Sequence, residues 1–337
     1  MSSEKRPATR TSQLAVGALL LLTLLAAWPA LAAWPARARA NVAYAQLNRG
    51  LSGGDVAGVE SAAQDLTALR DSPAVGRRAW RGLALAAMSA ARLDEAALAW
   101  QHVSGGAAEF ALWGQQAELS NDWPAARAWH QLSVRFDPED GDAWYQLARA
   151  AANLGDSAAT AHYEQALAAP RHEQFGSSNI LTRLGELARN ATPPDWPTAL
   201  AHYEDALRRD AFVDAADRLQ AQLGQAEALD KLGQPVAALA AYRQVAALWP
   251  NHYWANVHSG RLTWYTEKDA ARAVAYLNQA ISLRPDDKWA YLFLGGIYTE
   301  TGQAELATPL LRRVLEIDPS DATARKQLDQ LTGGDGS

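Results

Sequence analysis

The sequence predicts an all-α solenoid of stacked helix-turn-helix units, and three observations carry that prediction. Large and small residues recur one unit apart: Trp254 and Gly260 return as Trp289 and Gly295, each 35 residues on. Prolines mark successive unit ends, with Pro250, Pro285 and Pro319 at spacings of 35 and 34. Hydrophobic residues make up 49% of the chain, mainly Ala and Leu, which is ample material for a helical core. At 337 residues there is room for two ordinary domains, or for one array that grows by stacking.

Residues 1–13 form a basic N-terminal segment carrying Lys5, Arg6 and Arg10. Leu14 to Ala36 follows without a single charge. As a helix at about 1.5 Å per residue, it would reach about 34 Å and cross a hydrocarbon layer of about 30 Å. The basic flank favours a cytoplasmic N-terminus, and Trp28 and Trp34 stand near the far end, where indole rings prefer the headgroup interface. A cleaved signal peptide is the competing reading. Pro29 interrupts the apolar run, and Ala30-Leu31-Ala32 and Ala38-Arg39-Ala40 both have the small-x-small cleavage pattern. The expectation is a single-pass membrane protein with extracytoplasmic repeats, or a secreted one after cleavage.

The formal charge is −6, but the first forty residues hold five basic groups and one acidic group, so the remainder stands at −10. That acidic balance argues against a nucleic-acid partner, which requires clustered Lys and Arg. There is no cysteine, which excludes disulfides, Cys-based zinc or haem attachment and a lipidated N-terminal Cys.

A divergent first repeat is expected over residues 40–73, with Gly53-Gly54 as its turn. About seven further units fill residues 74–321. Trp80, Leu83, Ala84 and Ala87 precede Ala96, Trp100 and Val103; Trp113, Gly114 and Ala117 precede Trp123 and Ala126. Trp144, Leu147, Ala148 and Ala151 lead through Gly155 to Ala159, Tyr163 and Ala166. Leu184, Gly185 and Ala188 pair with Trp196, Ala199, Tyr203 and Ala206, and Pro193-Pro194 lengthens that unit. Ala226 and Leu229 then pair with Ala238, Tyr242 and Val245. The most complete unit runs from Lys288 to Asp321, with Tyr291, Leu294, Gly295 and Tyr298 on one helix, Gly302 at the turn, and Ala307, Leu311 and Val314 on the next. A small residue on the first helix lets the second approach, while large neighbours fill the grooves beside it. Residues 322–331 read as a capping helix and 332–337 as a disordered tail.

The period near 34 and this order of large and small residues resemble the tetratricopeptide repeat. The resemblance implies a right-handed solenoid whose first helices line a groove for another protein. It also implies a groove-facing stripe at about the second, fifth, ninth and twelfth positions of each unit. Carried onto this chain, those positions give Trp254, Val257, Arg261 and Trp264, then Trp289, Leu292, Gly296 and Thr299. Trp254 and Trp289 are expected to form an apolar pocket rimmed by Arg261, with Gly296 leaving space beside it. Tyr145, Arg149, Gln115 and Arg81 occupy comparable positions further up the chain. Packing of the two Trp residues against preceding units is the alternative. Chaperone-binding members hold a carboxylate with Lys at the fifth position; here only Arg81 is basic there, so that clamp is absent.

No catalytic, cofactor-binding or metal-binding constellation stands out. His172-Glu173 lacks the second His of a zinc-protease helix, since Gly176 occupies that place. His162 and His202 each precede a second-helix Tyr, which reads as a solvent-facing position. Asp137, Glu139, Asp140 and Asp142 cluster around Pro138, where helix capping outweighs calcium ligation. The functional expectation is a membrane-anchored scaffold for protein–protein interaction in cell-envelope assembly, not an enzyme. A role in polysaccharide binding or export, or as regulatory subunit of a membrane enzyme, is the alternative.

Overall fold

The computed structural model describes residues 32–90, 92–103 and 106–332. The basic segment 1–13, most of the uncharged run, both Trp28 and Pro29, and the tail beyond 332 lie outside the described residues. Among those described, there are seventeen helices and no strand. No helix among them is long and apolar enough to cross a membrane.

The chain forms two compact units that meet in sequence at Glu139/Asp140. The first holds three helix pairs: α1 (Trp34–Gly53) with α2 (Val56–Thr67), α3 (Gly76–Ser89) with α4 (Leu93–Trp100), and α5 (Gly106–Leu119) with α6 (Trp123–Phe136). The second holds five: α7 (Gly141–Asn153) with α8 (Ala159–Ala168), α9 (Ser177–Arg189) with α10 (Trp196–Arg209), α11 (Ala215–Lys231) with α12 (Pro235–Leu248), α13 (Tyr253–Glu267) with α14 (Ala270–Leu283), and α15 (Lys288–Glu300) with α16 (Ala304–Ile317). Helix α17 (Ala322–Thr332) follows the last pair.

The turns within pairs are locally encoded. Gly155, Gly233 and Gly302 take positive φ (67°, 72° and 75°), a conformation that costs glycine nothing. Asn121 and Lys268 adopt it at the same place, with φ of 61° and 55°. An acidic residue then caps the second helix. The carboxylates of Asp122, Asp195 and Asp269 each accept the backbone N–H three residues on, at 3.1, 3.1 and 3.0 Å. Pro124, Pro197 and Pro235 sit in first turns, where a missing N–H costs no helical bond.

Helix pairs close on small residues. A methyl group on Gly260 of α13 would stand 2.6 Å from Cγ of Leu277 and 3.0 Å from the carbonyl oxygen of Ala273, both on α14. Leu277 is fully buried there with Val257, Ala280, Ala290 and Leu294. The cap seals the other end: Leu328 and Leu331 of α17 pack on Leu292, Leu311 and Val314. Asp321 caps α17 through the backbone N–H groups of Thr323 and Ala324, both at 3.0 Å. Lys288 binds Asp318 and Asp321 at 2.6 and 2.7 Å, fastening the start of α15 to the segment before the cap. Hydrogen bonds from Lys288 and Ser320 hold the Asp318 carboxyl down at about 2.

Two expectations meet a different arrangement, and the capping expected of the acidic cluster is found at Asp140. The first pair begins at Trp34, upstream of residue 40, because Pro35 starts a helix well; Trp34–Ala36 of the uncharged run therefore belong to α1. His162 and His202 are half-buried, not solvent-facing, since the residue before the second-helix Tyr lies at the edge of the packing surface. His162 sits 5.8 Å from the Trp144 ring, and burial lowers the basicity of both imidazoles. In the acidic cluster, Asp140 caps α7 through Asp142 and Ala143 at 3.0 and 3.1 Å. Asp142 instead takes the backbone N–H groups of Glu173, Gln174 and Phe175 at 2.8, 2.7 and 3.0 Å, tying the loop after α8 to the start of α7.

Candidate functional site

In the second unit the first helices of neighbouring pairs are joined by a ladder of polar contacts. Arg189 of α9 meets Glu227 of α11 at 3.2 Å. Asp230 of α11 pairs with Arg261 of α13. Trp264 of α13 donates its indole N–H to Glu300 of α15 at 2.8 Å, and the Lys268 ammonium lies 4.7 Å from the Trp264 ring. Arg189–Glu227 and Asp230–Arg261 pair opposite charges, and Lys268 stands 3.9 Å from Glu300. Most cations and carboxylates along this face are already matched, so a ligand held here is selected chiefly by shape and apolar contact, not by net charge.

Between α9, α11, α12 and the start of α13 the face opens into a cavity of about 450 Å³. Trp254 and Leu223 supply its apolar wall, and Tyr242 and His258 lie beside them. The three rings form a graded stack: Tyr242 to His258 at 4.7 Å and 19°, His258 to Trp254 at 5.7 Å and 28°. Arg189, Glu227 and Gln220 line the same cavity, with His252, whose Nδ1 accepts the Ala255 N–H at 3.1 Å and caps α13. Burial pushes His258 down to about 4, and the Arg261 charge adds to the effect. Burial raises Tyr242. Near neutral pH the ring stack is therefore uncharged. His258 Nδ1 is buried and makes no hydrogen bond among the described residues. No group of three or more His, Asp or Glu among the described residues is arranged to hold a metal ion.

The sequence-derived groove residues separate into three sets. Val257 (0% exposed), Leu292 and Tyr145 are buried and present no side chain to a ligand. The fifth position points between neighbouring helices: Val257 joins the α13–α15 core, Leu292 packs under the cap, and Tyr145 stacks on Phe175 at 4.0 Å. Trp254, Arg261 and Trp264 line the first-helix face, but Arg261 and Trp264 are engaged as rungs of the ladder. Trp289 (40% exposed) lies against Phe293 and the Lys288 ammonium, with ring distances of 6.1 and 5.1 Å.

The pocket that Trp254 lines lies against the preceding pair, the side on which its packing was the alternative expectation, and Trp289 is not among that pocket's lining residues. Side chains early in a helix lean toward its N-terminus, which turns Trp254 toward α11 and α12. Gly296 leaves no open space either, since the Gln327 amide of the cap would lie 3.3 Å from an added methyl. Arg149 is half-buried on α7. In the first unit, Gln115 is half-buried on α5, and Arg81 lies over the Trp113 ring at 5.4 Å, with Glu109 at 3.7 Å. Sequence reasoning missed Tyr242, His258, Arg189, Glu227, Gln220 and His252. The one signal available was charge complementarity one repeat apart, as in Arg189 with Glu227 and Asp230 with Arg261.

Comparison with known proteins agrees with this architecture. Two stretches match family models of the tetratricopeptide repeat, residues 195–253 and residues 265–330. The second unit therefore carries tetratricopeptide repeats. No curated protein matches the chain. Among solved structures it is similar to PilF of Pseudomonas aeruginosa, at 13% identity and TM-score 0.54, over 67% of this chain and 97% of that one. It is also similar to PilW, described as a widely conserved type IV pilus biogenesis factor, at 17% identity and TM-score 0.51, over 67% and 100%. A third is YrrB, described as a TPR protein with an unusual peptide-binding site, at 20% identity and TM-score 0.50, over 58% and 96%. At these identities the likeness is one of fold.

Proposed function

We propose that this chain is a tetratricopeptide scaffold that holds a peptide segment of another protein on the first-helix face of its second unit. The observation that carries the reading is the cavity around Trp254. It offers an aromatic wall and an uncharged ring stack, flanked by a matched Arg189–Glu227 pair. An apolar or aromatic side chain of the partner fills the cavity, and flanking backbone amides bond to Gln220, Glu227 and Arg189. The peptide-binding site named for YrrB and the description of PilW as a type IV pilus biogenesis factor support a scaffold working in assembly at the cell envelope. The uncharged stretch Leu14–Ala36 serves as the tether in this reading, with the repeats on the extracytoplasmic side.

The test is selection of peptides from a displayed random library on the full chain in detergent, followed by calorimetric titration. Trp254→Ala lowers the affinity of the selected peptides at least about tenfold, while Trp289→Ala leaves it within about twofold. Equal affinity for wild type and Trp254→Ala would remove the cavity from the reading. Selection of no peptide, with glycans bound instead and lost in Trp254→Ala, would replace the peptide by a carbohydrate.

A further inference from the structure

Helix α1 uses its two sides very differently. Ala40, Ala43, Leu47 and Gly50 are buried, three of them in a core with Val59 and Leu66 of α2 and Ala79 of α3. Another stripe, Trp34, Ala38, Val42, Ala45 and Arg49, follows helical spacing and is exposed along its whole length. Trp34 is 70% and Val42 59% exposed.

The surroundings of that stripe are basic. Arg37 and Arg39 stand on its flanks, and Arg77 and Arg78 open the adjoining α3. Arg78 is fixed beside α1: it donates to Asn41 Oδ1 at 2.8 Å, and its guanidinium lies 4.6 Å from the Tyr44 ring. Neither α1 nor α3 contains an acidic residue. Arg37, Arg39 and Arg77 form no ion pair among the described residues. The contrast with the −10 balance of the chain beyond residue 40 is sharp.

An exposed apolar stripe with an interfacial indole, edged by arginines and free of acids, is the composition of a helix that rests in a lipid headgroup layer. An acidic protein would match the arginines but would leave Trp34, Ala38 and Val42 without an apolar counterpart. We propose that this face of α1 lies on an anionic phospholipid membrane, with Arg37, Arg39, Arg77 and Arg78 at lipid phosphates and Trp34 at the boundary with the acyl chains. The inference rests on the tether reading in one respect: the uncharged run ends in the first turn of α1, so a membrane holding that run lies next to the start of this face.

The chain has no cysteine, so a single introduced thiol reports one position. Full-length Val42→Cys, on the stripe, and Ser61→Cys, exposed on α2, are labelled with an environment-sensitive dye. Each is reconstituted into nanodiscs of phosphatidylcholine, with or without phosphatidylglycerol, containing brominated acyl chains. The proposal expects Val42 label quenching at least about twice that of the Ser61 label in anionic discs, dropping to the Ser61 level on Arg37→Glu/Arg39→Glu. Circular dichroism of the charge-reversed chain confirms that the helices are retained. Protein in the discs with the Val42 label unquenched overturns the proposal while leaving the tether intact. Equal quenching in neutral discs overturns the anionic preference. Failure to enter discs at all removes tether and proposal together. A Val42 label already shielded in detergent, and more so at higher protein concentration, identifies a second copy as the occupant instead.

Discussion

Replacing Gly260 by alanine tests the packing logic of the repeat through the sign of its effect. In an unconstrained helix, Gly→Ala stabilises by about 1 kcal/mol, because glycine has the larger backbone entropy to lose. At Gly260 the new methyl would stand 2.6 Å from Leu277 Cγ and 3.0 Å from the Ala273 carbonyl oxygen. The second contact is backbone, so rotation of the Leu277 side chain alone does not relieve it. Overpacking of this kind costs about 1–3 kcal/mol, which offsets or exceeds the propensity gain. The expected net effect is a loss of up to about 2 kcal/mol.

Gly296, on the first helix of the next pair, supplies the opposite case. Its added methyl meets only the flexible end of Gln327 at 3.3 Å, so Gly296→Ala is expected to stabilise by about 0.5–1 kcal/mol. Leu277→Ala alone opens a cavity and costs about 2–5 kcal/mol. Combined with Gly260→Ala it costs less than the sum, because the new methyl occupies part of the vacated space. Repeat arrays unfold by neighbouring units, so the readout is hydrogen exchange of the α13 and α14 amides in the full chain, not a single global midpoint. Stabilisation by Gly260→Ala, or strict additivity with Leu277→Ala, would refute the account of how α13 and α14 close.

Two further outcomes follow from the second unit. Asp142→Ala leaves the N–H groups of Glu173, Gln174 and Phe175 without their acceptor, so their exchange accelerates by the equivalent of about 2–4 kcal/mol, with α13–α15 amides unchanged; unchanged exchange at residues 173–175 would show that Asp142 does not hold the loop. His258 is held neutral, with its folded value lowered to about 4 from the usual 6.5. The unfolded chain therefore binds the extra proton first, so this contribution is complete above about pH 6.5 and is lost as pH falls toward 4, by at most about 3 kcal/mol. An NMR titration of the His258 ring giving a value near 6.5 would contradict the buried stack.

The repeat framework was legible because it is written locally. Turn glycines, capping aspartates and first-turn prolines each act within a few residues, and the period of Trp254/Trp289 and Gly260/Gly295 fixes where successive pairs begin. The stripe at second, fifth, ninth and twelfth positions was less legible. It identifies a helix face, but the angle between neighbouring pairs decides whether a position faces solvent or the next helix. That angle buries Val257, Leu292 and Tyr145. It also places Trp254 in one pocket with Leu223 and Tyr242. Tyr242 and His258 come together only because α12 packs on α13, a contact between residues that no periodic pattern pairs.

The proposed role of the Trp254 cavity is to receive a segment of another protein. A photo-crosslinking amino acid at Leu223, inside the cavity, with a matched one at the exposed Leu306 on α16, tests it most directly. With a library-selected peptide added to the full chain, crosslinks are expected from position 223, abolished by Trp254→Ala, and none from 306. Crosslinks of equal yield from both positions, or from 223 regardless of Trp254, would contradict it.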